Sequence, residues 1–237
     1  MDEKTNLKWQ YIAAWCGPIF VVTFVFFWGW VGHNLPPAGP GLTAEQVAEH
    51  YRDNAERIRV GFVLSVIMIT FYMPWTAALS ARLSRIEGDY RALSYLQLIG
   101  GALTVMVVSM SAAFWIVAAF RPERDPSATQ MLHDLGWLTI DQLYACTTFQ
   151  MVAAAIVGLC DKSKDRLLPR WACYYAIWAG LTFLPASLTA FLKFGPFAWN
   201  GFLSYYFPYF AWLSWFSIFS YYLLKDISRQ RRQSADA

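Results

Sequence analysis

Asp141 is the only carboxylate set well inside an apolar stretch of this chain, and polar side chains recur around it at helical spacing. Residues three, four and seven apart share a helix face. That aligns His133 or Asp134 with Trp137, Asp141, Tyr144 and Thr148, and puts Gln142, Cys146, Phe149 and Gln150 on the adjacent stripe. An ionised carboxylate in lipid costs a few kcal/mol unless it faces a bundle interior and finds a partner. Asp141 is therefore a site candidate by default. In catalysis it would serve as general acid or base; in binding it would hold the polar end of an amphipathic molecule. Tyr144 and Gln142 stand closest to share that task, with Arg121, His33 and His133 as contacts at the outer boundary. The plainer alternative is a carboxylate salt-bridged to a boundary cation, or hydrogen-bonded to Tyr144 and a neighbouring helix.

Metal chemistry finds little support. Zinc and copper need several N, O or S ligands converging on the ion, and the chain has three histidines and four cysteines without a His-x-x-x-His, His-x-x-His or Cys-x-x-Cys among them. No histidine lies deep in an apolar stretch, which argues against di-iron and two-haem bundles. Cys16, Cys146, Cys160 and Cys173 fall inside apolar stretches or near the face read as cytoplasmic, where a reducing compartment keeps thiols free.

The elements that must position Asp141 are membrane helices. Of 237 residues 57% are hydrophobic and 15% charged, against roughly 25% charged in a soluble domain. Six stretches reach the roughly 20 apolar residues a crossing helix needs, at about 9–31, 59–81, 93–120, 137–160, 171–192 and 202–224. The reading is all-α: a single polytopic domain over residues 1–237, a six-helix transmembrane bundle with a short amphipathic outer helix. The first apolar run is longer than a signal-peptide core and lacks a small-residue cleavage site, so it reads as an uncleaved span. A net charge of +3, with no basic run, offers no nucleic-acid groove.

Lys and Arg in the short loops set the orientation. With the N-terminus inside, the inner face takes thirteen of the 19, including Arg82, Arg85, Lys162, Lys164 and Arg229, and the outer face six, including Arg57, Arg121 and Lys193. Both termini are thus expected in the cytoplasm, and Asp141 about 6 Å below the outer start of its span at 1.5 Å per residue. Trp9, Trp28, Trp30, Trp137, Trp171 and Trp199 sit at span ends, as interfacial belts do.

Local signals complete the frame. Thr43 with Gln46 makes a capping box for an amphipathic helix through Asn54, expected to rest on the outer surface over the mouth of the bundle. Pro74, Pro185 and Pro208 mark kinks in spans two, five and six. Gly100-Gly101 and the small residues Ser109, Ser111, Ala112 and Ala113 read as a packing face of span three. Asp125 caps and Pro126 opens the helix that runs into span four. Asn200 would cap span six, whose Ala211, Ser214 and Ser217 would seat it against a neighbour. Its many aromatics could instead sandwich a flat ligand of quinone, sterol or polyene type.

Four stretches carry a resemblance: Arg57-Ile58-Arg59-Val60-Gly61, Ala119-Phe120-Arg121-Pro122-Glu123-Arg124, Leu168-Pro169-Arg170-Trp171 and Gly195-Pro196-Phe197-Ala198-Trp199-Asn200-Gly201. With the six-span layout, the chain resembles a group of uncharacterised bacterial integral membrane proteins. The resemblance implies a bacterial inner membrane and brings no activity, cofactor or catalytic residue. Three function classes stay open: binding of a hydrophobic or amphipathic small molecule in an outer-leaflet cavity, a membrane-embedded enzyme for a lipid-like substrate, and an accessory subunit packed on a partner subunit of a larger complex.

Overall fold

The computed structural model describes residues 2–236, with Met1 and Ala237 outside them. Among the described residues every regular element is helical, with no strand. Helix α1 covers Glu3–Phe24 and passes into a π segment, Val25–Val31; α2 is Ala44–Ile69, α3 Tyr72–Glu87 and α4 Ala92–Phe120. Then come α5 at Pro126–Gln142, α6 at Ala145–Cys160, α7 at Arg170–Leu181, a 3-10 segment at Leu184–Ala190, a second π segment at Phe202–Tyr206 and α8 at Phe207–Asp236.

Four helical stretches are long and apolar enough to cross a membrane: Glu3–Val31, Ala44–Glu87, Ala92–Phe120 and Pro126–Cys160. This is a helical membrane protein by length and composition. The fifth and sixth stretches differ from continuous spans. One is α7 followed by the 3-10 turn; the other starts as π helix and ends in the charged tail of α8.

Proline accounts for several of the interruptions, because its ring clashes with the carbonyl four residues back. Four residues before Pro74 is Thr70, where α2 has stopped; its carbonyl accepts instead from Met73 N at 3.0 Å. Four before Pro185 is Leu181, the last residue of α7. Pro208 is the second residue of α8, directly after the π segment. Pro18, by contrast, lies inside α1 without ending it.

The amphipathic outer helix is not separate. Its capping box forms, with Thr43 N donating to Gln46 Oε1 at 2.9 Å and Gln46 N to Thr43 Oγ1 at 3.3 Å. The helix then continues unbroken to Ile69, because nothing between Asn54 and Arg59 is glycine or proline. Val47, Ala48 and Tyr51 are buried, packed toward α5, so the first turns of α2 belong to the bundle rather than resting on it. Asp125 does cap α5, accepting from Ser127 N and Ala128 N.

Helix α4 is central, flanked by α2, α3, α5 and α6, while α8 packs on α1 and α7. Its glycine pair permits the approach. A methyl group at Gly100 would stand 2.6 Å from the Cys146 carbonyl, and one at Gly101 2.4 Å from Thr76 Oγ1. Buried amides bridge the same three helices: Tyr72 donates to Gln150 Oε1 at 2.7 Å, Gln150 Nε2 to Thr76 Oγ1 at 3.0 Å, and Gln97 Nε2 to Thr76 at 2.6 Å. Gln150→Leu would strand Tyr72 and remove one of the two donors to Thr76. Leaving such a group unpaired costs about 2 kcal/mol, so the thermal midpoint of the purified variant should fall clearly below that of the wild type. An unchanged midpoint would mean that these bonds do not hold α3, α4 and α6 together.

Two sequence expectations fail on burial. Trp28, Trp137 and Trp199 are in the core rather than in a belt, whereas Trp9, Trp30 and Trp171 are exposed as belts require. On α8 the small-residue stripe holds in part, with Ala211 buried and Ser214 paired with Tyr175 of α7, but Ser217 is exposed and the rest of the interior face is Trp212, Trp215, Phe216, Phe219 and Leu223. The large rings are the seat, since tryptophan and phenylalanine bury more area than serine.

Candidate functional site

Asp141 lies one residue before the end of α5, at a break that separates α5 from α6 across Leu143 and Tyr144. No proline or glycine causes it. Side chains on both sides are committed to the 3-10 segment instead. Gln142 Nε2 donates to the Ala186 carbonyl at 3.1 Å and to Thr189 Oγ1 at 3.0 Å, and Tyr144 Oη pairs with Ser187 Oγ at 2.9 Å. The Cys146 thiol covers the Leu143 carbonyl at 3.1 Å.

Asp141 itself is 5% exposed, and its Oδ2 has no hydrogen-bond partner. Among the described residues it makes no ion pair. The Thr189 hydroxyl is placed to donate to it, in competition with the Ala186 carbonyl, which takes the same proton at 2.8 Å. The salt-bridged alternative and the Tyr144 hydrogen bond are both absent from this arrangement, the second because Tyr144 is held by Ser187.

The carboxylate lines a cavity of about 40 Å³ at the meeting point of three interruptions: the α5–α6 break, the α7–3-10 break at Phe183 and the start of α8. Its polar residues are Asp141, Tyr144, Ser204, Tyr209 and the hydroxyl pair Thr104–Thr147, which share a bond of 2.8 Å, with the Trp212 side chain beside them. Trp212 Nε1 is a donor without a partner and Asp141 Oδ2 an acceptor without one. The rest of the wall is apolar. Val107 and Phe183 are half-buried and Leu143 is exposed, giving the cavity a lateral mouth lined by apolar side chains. Chemically, the place offers one carboxylate, several hydroxyls and one indole N–H in a dry surround, suited to receiving a single polar group.

The six residues singled out from sequence do not converge. Asp141 and Tyr144 line the cavity; Gln142 turns to the 3-10 segment. Arg121 follows α4 on the exposed surface, with its guanidinium 6.0 Å from the Phe120 ring. His133 and His33 belong to a separate cluster. There His33 and His50 have ring centres 5.8 Å apart, and Tyr51 Oη meets His133 Nδ1 at 3.1 Å. Burial first, then the neighbouring Arg57 guanidinium, lowers the His33 imidazole below its ordinary range, so it is neutral at pH 7. Trp137 separates this cluster from Asp141, packed between Trp115 at 4.9 Å and Trp199 at 6.3 Å. Among the described residues no group of three His, Cys, Asp or Glu side chains is placed to hold a metal.

Sequence reasoning missed Thr104, Thr147 and Ser204 as cavity residues, and reached Tyr209 and Trp212 only among the span-six aromatics that could face a ligand. The one available signal was Pro185, which ends α7 and brings Phe183 and Ala186 to the cavity wall. Asn200 also departs from expectation: the second π segment starts after Gly201 with no side-chain cap, and the Asn200 amide lies against Gly39. Comparison with known proteins finds no match, whether to a family model, a curated relative or a solved structure.

Proposed function

We propose that the protein binds an amphipathic small molecule from the outer leaflet, with its polar group at Asp141 and its apolar body in the lateral mouth at Val107, Leu143 and Phe183. The observation that carries this reading is a buried carboxylate oxygen without partner or counter-ion among the described residues, on a residue that lines a cavity with an apolar mouth. A carboxyl group left without partners in an apolar surround is costly and is kept at functional positions. A donor such as an ammonium or hydroxyl group would supply what Asp141 lacks.

Cavity size narrows the ligand. Sites that enclose a whole drug-sized molecule run to roughly 300–1,000 Å³, whereas about 40 Å³ admits one small polar group. Of the quinone, sterol and polyene classes, those that keep the ring system or chain outside and insert only a head fit best. A 3-hydroxyl or an amine on a long apolar body has that form.

The finer membrane placement belongs to the same reading: six crossings, both termini cytoplasmic, in a bacterial inner membrane. It is supported by length, since α7 and the 3-10 segment together reach about 32 Å at their respective rises, close to a hydrocarbon core of roughly 30 Å. The excess of Lys and Arg on the side opposite Asp141 supports the orientation, and the resemblance noted above supports the bacterial inner membrane.

The test is purification in mild detergent followed by mass spectrometry of the organic extract, for wild type and Asp141→Asn. Wild type should retain one small-molecule species, reduced about tenfold or more in the variant, as loss of a charge-assisted hydrogen bond implies. The variant should unfold at or above the wild-type temperature, because an unpartnered carboxylate has been removed. Equal retention by both proteins would contradict the reading. So would a ligand-free wild type arriving with another subunit, which would instead favour the accessory role.

A further inference from the structure

The opposite end of the bundle holds a buried arginine that its own protein does not satisfy. Arg82, on α3, is 2% exposed. Its Nη1 donates to Gln230 Oε1 at 2.5 Å, but Nε stands 3.7 Å from Asp226 Oδ2, and among the described residues neither Nε nor Nη2 has a hydrogen-bond partner. Asp226 is committed elsewhere, accepting from Arg229 Nη2 at 2.8 Å and Gln230 Nε2 at 3.1 Å. One carboxylate thus serves two guanidinium groups. Arg85 competes for the same Gln230 oxygen at 3.0 Å.

These groups line a cleft of about 930 Å³ between α3, α8 and the loop after α6, which adds Lys162 and Lys164. Its cations are Arg82, Arg85, Lys162, Lys164 and Arg229; its carboxylates are Asp161, Asp165 and Asp226. Asp161 spends its oxygens on the loop itself, accepting from Ser163 N at 2.9 Å and Leu167 N at 3.0 Å, and Asp165 sits 3.3 Å from Arg229. Positive charge is left in excess around the opening, five cations against three carboxylates, and the unused Arg82 donors lie buried in its wall. The loop bias that orients a membrane protein works from exposed lysines and arginines and gives no reason to bury Arg82. Burying a guanidinium with idle donors is costly unless something completes the set.

We infer that this cleft binds a phosphate-bearing anion, with the Arg82 guanidinium buried in its wall and Arg85, Lys162 and Lys164 supplying the surrounding charge. A guanidinium fork matches the spacing of phosphate oxygens, and basic pockets between helix ends take lipid headgroups of this kind. The phosphate belongs either to an anionic phospholipid or to a soluble compound. The site is independent of the Asp141 cavity.

The full chain in phosphatidylcholine nanodiscs, followed by tryptophan fluorescence on heating, tests this. One arm adds phosphatidylglycerol to the discs; the other titrates pyrophosphate into phosphatidylcholine discs at constant ionic strength. Each is run on wild type, Arg82→Lys and Lys162→Gln/Lys164→Gln, the double variant being confined to an exposed loop so that folding is preserved. The wild-type midpoint should rise in one arm, and the rise should fall by at least half in the double variant. A rise with phosphatidylglycerol assigns the phosphate to lipid, and a rise with pyrophosphate assigns it to a soluble compound. No rise in either arm, or an equal rise in wild type and the double variant, overturns the site.

Discussion

Gly61→Leu is expected to lower the thermal midpoint of the purified protein by roughly 6–12 °C, or to prevent its isolation as a monodisperse species. Gly61 on α2 faces the end of the first π segment, where even a methyl group would stand 2.5 Å from Gly32 N, 2.6 Å from Gly32 Cα and 2.8 Å from the Val31 carbonyl carbon. Backbone cannot rotate aside as a side chain can. The two helices must separate, and overpacking of that kind costs about 3 kcal/mol, where each kcal/mol moves the midpoint of a chain this size by roughly 2–4 °C. Separation would also displace Phe62, packed 4.9 Å from Trp115, and Tyr51, which holds His133. Gly180→Ala is the control. Its nearest atoms, on Thr148 and Met151, lie at 3.5–3.6 Å, ordinary contact, and alanine is the better helix former by about 1 kcal/mol. That variant should be neutral or slightly stabilised. Equal loss in both variants would contradict the packing described for α2.

Features that depend on neighbours along the chain were legible in the sequence. The Thr43–Gln46 box and the Asp125 cap are made within four residues, and Pro74 and Pro185 act on the carbonyl four residues back. Gly100-Gly101 was readable as a close approach, though not the identity of the partners Thr76 and Gln150. The break after Gln142 was not readable, because it is made by bonds to Ala186, Ser187 and Thr189, more than forty positions away. Nor was the interior face of α8. Trp and Tyr suit core, interface and lipid alike, so only packing shows that Trp212 and Tyr209 line the cavity while Phe210 and Tyr221 are exposed. Asp141 stood out by itself, since a lone carboxylate in an apolar run is conspicuous in any fold. Its sequence-assigned companions did not stay with it. Helical spacing projects a straight helix, and this one breaks two residues later.

The largest ligand effect should appear at that break. A photoreactive long-chain amine carries a donor head and an apolar body, the two features the cavity and its mouth are suited to receive. Incorporated into membranes holding the full chain, it should label peptides containing Val107, Leu143 or Phe183 in preference to the more exposed apolar surface of Trp171 and Phe191. In Asp141→Asn the head loses its charged acceptor, and labelling of the mouth should fall about tenfold or more while background labelling elsewhere stays constant. Mapping those sites by peptide mass spectrometry in the two proteins is the most direct test of the account. Labelling focused on the mouth and dependent on Asp141 is the result it predicts. Labelling spread evenly over the exposed apolar surface, and unchanged in Asp141→Asn, would contradict it.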